Sequence, residues 1–115
     1  MQSLIEALRK NMEGAVEHDG ARFLVRRPTD AELLDNQIRH GYSFAMADLP
    51  SYVYGWEGVT EKAIKPDGEE KPVPFSPVLA KLWLSNRPDI LGLLSSEIVR
   101  LIETAKAVRE DAPKN

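Results

Sequence analysis

A run of aromatic residues set among glycines and prolines divides this chain into two helix-like halves. Tyr52-Val53-Tyr54-Gly55-Trp56-Glu57-Gly58-Val59 leads into a polar loop and then into Pro74-Phe75-Ser76-Pro77. Neither half's helical pattern continues through it. Aromatic side chains in such a setting are costly to leave in water, so they close a core or meet a partner. Tyr52, Tyr54, Trp56, Phe75 and Trp83 are therefore the candidates for partner contact, because tyrosine and tryptophan are enriched at interfaces. As a lid over the core between the halves they would serve equally well, and residue chemistry alone leaves both uses open.

The first half reads as two helices around a strand. Ser3-Leu4-Ile5-Glu6 has the form of a capping box, and Leu4, Leu8 and Met12 recur on one face with Ile5 and Val16 beside them. This predicts a helix that His18-Asp19-Gly20 stops. From Ala21 to Arg27, Ala21, Phe23 and Val25 alternate with Arg22, Leu24 and Arg26, the period of a short edge strand with one buried face. Pro28 ends it, and Thr29-Asp30-Ala31-Glu32 forms a second capping box, with its acids placed against the helix dipole. Leu34, Ile38, Tyr42, Ala45, Met46 and Leu49 keep helical spacing through Gly41. Pro50 predicts an end near Leu49, since a residue before proline is pushed out of the α region.

The second half begins after a Lys/Glu-rich stretch. Residues 60–74 read as a mobile loop with a turn at Asp67-Gly68, and Ser76-Pro77 supplies an N-cap followed by proline at the first helical position. Val78, Leu79, Leu82 and Trp83 are expected to form that helix's inner face. Asn86-Arg87-Pro88 interrupts it. Asp89 then caps a long helix carrying Ile90, Leu93, Leu94, Ile98, Leu101, Ile102, Ala105 and Val108. The expected fold is mainly α, about four helices with a small β element, in a single domain over residues 1–111 with a frayed tail at 112–115.

At 115 residues there is room for one core, which buries roughly two-thirds of the unfolded surface. Hydrophobic residues at 43% and charged residues at 29% describe a globular chain without a membrane span. Met1-Gln2-Ser3-Leu4-Ile5-Glu6 does not open a signal peptide, so a cytoplasmic protein is expected. The net charge of −3 offers nucleic acid no general attraction. Cysteine is absent, which removes disulfides, thiolate nucleophiles and cysteine metal sites.

Little in the chain converges as catalysis requires. His18 and His40 lie on different elements without a serine–aspartate context or a second metal ligand at usable spacing, and are read as surface residues. Glu69-Glu70 falls in the loop, Asp30/Glu32 is explained by capping, and Gly55-x-x-Gly58 lacks the length and lysine of a phosphate loop. No catalytic residue, metal, cofactor or small-molecule substrate is assigned. Arg22, Arg26 and Arg27 form the one compact basic patch. As solvated edge charges they would block strand aggregation; as phosphate contacts they would make the chain a small DNA-binding regulator. A small enzyme survives only if folding assembles a pocket from scattered residues.

The order of the motifs carries more. Phe23-Leu24-Val25-Arg26-Arg27-Pro28-Thr29 before a polar helix, Trp56-Glu57-Gly58-Val59, Pro74-Phe75-Ser76, and Arg87-Pro88-Asp89 before an aliphatic helix together resemble the tail assembly chaperones of long-tailed phages and prophages. The likeness spans about Phe23 to Glu103, though the loop at 60–74 is longer than that pattern leads one to expect. The resemblance implies a non-enzymatic, largely helical, self-associating protein of the host cytoplasm. It would bind the tape measure protein, keep it soluble, bring tail tube subunits to it, and leave before the virion is finished, with no nucleic acid or membrane partner. A tape measure exposes apolar helical stripes that need cover until tube protein surrounds them. Members of that family are often made in two lengths by a programmed ribosomal slip. Pro113-Lys114-Asn115 permits an A-rich slippery codon run, so the chain is expected to be the shorter product, which the gene's codons would settle.

Overall fold

In the computed structural model, residues 2–40 and 46–111 are described, with the side chains of 37–40 and 109–111 left out. Their order is α1 (Gln2–Lys10), β1 (Glu13–His18), β2 (Ala21–Arg26), α2 (Asp30–His40), a 3-10 segment (Met46–Tyr52), β3 (Val53–Glu57), α3 (Glu61–Ile64), α4 (Pro77–Leu84) and α5 (Pro88–Asp111). The described residues thus hold six helical segments, more than the four expected, and the β element is a three-stranded antiparallel sheet, β1-β2-β3.

The first helix is shorter than its apolar spacing predicts. It includes Gln2 and Ser3, so Ser3 does not cap it, and it ends at Lys10. Met12 and Val16 do not continue it. Residues 13–18 form a strand in register with β2 from Glu13↔Arg26 to His18↔Ala21. Asp19 at φ 48° and Gly20 at φ 80° make the turn. Two consecutive positive φ angles belong to the tight hairpin turn that Asp-Gly favours, because its twist matches that of the flanking strands. His18-Asp19-Gly20 therefore reverses a strand and does not terminate a helix.

As expected, β2 buries Ala21, Phe23 and Val25, but it is the central strand and not an edge. Between Leu24 and Val25 its pairing with β3 slips by one, so Gly55 faces Leu24 and Val53 faces Val25. The extra residue, Tyr54, forms a bulge that resets the alternation. Val53 and Trp56, an odd number of residues apart, consequently both point into the core.

The second capping box forms as the pattern predicts. Thr29 N–H donates to Glu32 Oε1 at 2.9 Å and Glu32 N–H donates to Thr29 Oγ1 at 3.1 Å. The helix is described only as far as His40, and Gly41, Tyr42 and Ala45 lie outside the described residues. Leu34 is exposed. Pro50 does not stop the chain from turning, since it sits inside the 3-10 segment, whose φ range matches the angle that proline fixes.

Residues 60–74 have their own hydrogen bonding. Thr60 caps the single turn of α3, Glu61 N–H donates to Lys71 O, Lys62 N–H to Glu69 O, and Val73 N–H to Val59 O. Ser76 caps α4 by accepting from Leu79 N–H, with Pro77 at the first helical position. In α5 that position is Pro88, so Asp89 stands in the first turn and is not the cap.

The core lies between one sheet face and α4, α5 and the 3-10 segment, with Phe23, Leu49, Leu84, Ile90, Leu94 and Ile98 fully buried. α5 keeps most of its predicted inner face, adds Leu91, and leaves Leu93 and Val108 exposed. The radius of gyration is 16.0 Å over a 60 Å long axis, against about 13 Å for a compact chain of this size.

Candidate functional site

Trp56 of β3 and Phe23 of β2 form an aromatic cluster with Phe75, just before α4, and Trp83 of α4. Trp56 meets Phe75 edge-on at 5.0 Å between ring centroids, Trp83 at 5.8 Å and Phe23 at 6.4 Å, the T-shaped geometry that ring quadrupoles favour. Trp56 is only 8% exposed, and its indole Nε1–H donates to Val73 O at 2.8 Å. That bond ties the aromatic strand to the far end of the 60–74 segment. Tyr52 is buried, with the Arg26 guanidinium 5.2 Å above its ring. Burial and the nearby Glu32 carboxylate raise its phenol pKa.

Of the five candidate contact residues, Tyr52 and Trp56 belong to the core, Phe75 and Trp83 pack against it half-buried, and Tyr54 alone is exposed. Folding brings Trp56, Phe75 and Trp83 together but turns most of their surface inward.

The neighbouring helix points the other way. Of the expected α4 inner face, only Leu79 and Trp83 pack against the core, and the buried residues are Ala80 and Leu84. Val78 and Leu82 stand 70% and 66% exposed. Being four residues apart, they stack on one helical face. Beside them runs a groove of about 500 Å³ lined by Ile64, Pro66, Leu79, Leu82, Trp83 and Arg87, among others. This surface joins a tryptophan and an arginine stacked 5.6 Å over it, residue types enriched at binding hot spots, to a bare aliphatic pair. Its sequence signal was the apolar excess in Val78-Leu79-Ala80-Lys81-Leu82-Trp83-Leu84, more than one face can bury.

A charged network joins the hairpin tip to the start of α5, unseen in the sequence because its members lie far apart along the chain. Arg87 donates to both Asp89 carboxylate oxygens at 3.1 and 2.9 Å. His18 Nε2 lies 3.2 Å from Asp19 Oδ2 and from Asp89 Oδ2 without a hydrogen bond to either. The Arg87 hydrogen bonds, helped by the Ile90 amide, hold the Asp89 carboxyl down to about 2 against some desolvation. A carboxylate depressed in the fold adds stability that is complete above its ordinary value of 3.8 and lost as pH falls through about 2. The thermal midpoint should therefore drop between pH 4 and pH 2, and Asp89→Asn should make that drop smaller, as melting curves at the two pH values would show.

Other candidate chemistry is absorbed by structure. Arg26 pairs with Glu32 at 3.0 Å, and Arg27 donates to Pro28 O at 2.9 Å with Asp30 3.7 Å away. Arg22 is exposed in register with Glu17 and Glu57. Glu69 and Glu70 face Lys71 and Lys62. His40 lies outside the described side chains. Among the described residues no group of three or more His, Asp or Glu is placed to hold a metal ion, and no helix is long and apolar enough to cross a membrane. Comparison with protein-family models, curated proteins and solved structures gives no match.

Proposed function

We propose that this chain is a tail assembly chaperone of the long-tailed phage and prophage kind. It binds the tape measure protein without catalysis or cofactor, keeps it soluble, and brings tail tube protein to it in the host cytoplasm as a self-associating protein. The supporting observation is the bare Val78/Leu82 pair beside the Trp83 groove. An exposed aliphatic pair next to an apolar groove suits the apolar stripe of an amphipathic helix, which is what a tape measure presents. The motif order from Phe23 to Arg87-Pro88-Asp89 points the same way.

The test is co-expression with the tape measure protein of the same phage or prophage. Tape measure protein should move from the pellet to the soluble fraction and co-purify with this chain. If it stays insoluble at equal expression, the reading is wrong.

A further inference from the structure

We propose that α1 is a strap that closes onto the distal half of α5. Every described residue of α1 is exposed, although Leu4, Ile5 and Leu8 gather on one face. The helix is held at its C-terminal end. Met12 N–H donates to Arg9 O at 2.9 Å, and Arg27 N–H donates to Met12 O at 2.7 Å, fixing the turn at Asn11 and Met12 to the end of the sheet. The Leu8 end of α1 lies beside the distal half of α5, since Leu8 shares a cavity with Leu101 and Val108.

Leu8 lines a cavity of about 490 Å³ together with Leu101, Thr104, Ala105 and Val108, and the rest of its lining is polar or charged. Those four α5 positions have the i, i+3, i+4, i+7 spacing of a continuous helical stripe. Leu8 is 68% and Val108 66% exposed. Apolar side chains of α1 and α5 thus share one otherwise polar gap, and the turn at residues 11–12 is a pivot about which they meet. Closure buries Leu8 against Val108, and opening uncovers both faces at once. The strap does not depend on what the α4 groove binds.

The chain has no cysteine, so Leu8→Cys/Val108→Cys offers one disulfide only. Both sites are exposed, so the fold is expected to persist, with circular dichroism as the check. Mild oxidation should give an internally bonded monomer that melts at a higher temperature than its reduced form. Free thiols after oxidation, or dimers linked between chains, would overturn the strap. Trypsin provides a second measurement at Arg9 and Lys10. Leu8→Glu should speed that cleavage about tenfold or more by favouring the open state, and an unchanged rate would count against closure.

Discussion

Trp56→Ala should lower the free energy of unfolding by about 3–5 kcal/mol, the usual cost of removing a large buried ring. Urea denaturation would measure it. The side chain is packed edge-on by Phe23, Phe75 and Trp83. Removing it leaves a cavity at the junction of sheet, α4 and the 60–74 segment, and leaves Val73 O without its indole donor. Since domains of this size are stable by only about 5–15 kcal/mol, the variant should sit near its unfolding threshold. A loss under about 1 kcal/mol would mean that the ring is not the core element its geometry makes it.

Gly58→Ala is the second large effect. Gly58 has φ 74°, and a Cβ there would lie 2.5 Å from Gly20 O in the hairpin turn. The left-handed backbone costs an ordinary residue about 1–2 kcal/mol. Because the obstructing atom is backbone carbonyl and not the end of a flexible side chain, relieving the clash should add about 1–3 kcal/mol. Thermal or chemical unfolding should show a loss of about 2–5 kcal/mol in total. Gly20→Ala, with nothing within 4 Å of its Cβ position, should show the backbone cost alone. Equal effects at the two glycines would refute the close approach of the turn to Gly58.

These two sites also show which parts of the fold the sequence made legible. Local capping signals survived folding in part. The Thr29–Glu32 box and the Ser76-Pro77 start form as the pattern predicts, whereas Ser3 and Asp89 stand inside their helices and do not cap them. The Ala21/Phe23/Val25 alternation held because one sheet face is buried. The residues from Glu13 to His18 were harder. Leu8, Met12 and Val16 mimic a helical stripe, while Gly14, Val16 and His18 keep the two-residue period that pairing with β2 selects. Asp19-Gly20, a strong short-range hairpin signal, is what distinguishes them, and it marks a strand reversal where a helix stop is expected.

The candidate site was half legible. The sequence singles out Tyr52, Tyr54, Trp56, Phe75 and Trp83, but neither the clustering of Trp56, Phe75 and Trp83 nor their inward direction. A one-residue bulge at Tyr54 turns Val53 and Trp56 inward together, and nothing in the local pattern announces a bulge. In α4, six apolar residues after Pro77 compete for the inner face of a two-turn helix. Ala80 and Leu84, four residues apart on one face, are the ones buried, and this leaves Val78 and Leu82 outside. The Arg87–Asp89–His18 network needs the hairpin to bring residue 18 to residue 89, so it waited on the fold.

On the proposed function, the bare aliphatics of α4 bind tape measure protein and the buried aromatics hold the fold, and two variants separate these roles. Leu82→Glu and Trp56→Phe would each be co-expressed with tape measure protein, and the soluble complex measured against wild type. Leu82→Glu alters an exposed side chain and should keep the fold while losing most of the complex. Trp56→Phe keeps an aromatic ring in the core and should retain the complex despite a lower melting temperature. A folded Leu82→Glu protein that still holds tape measure protein in solution, with Trp56→Phe failing to do so, would contradict the account and return the binding role to the aromatic segment.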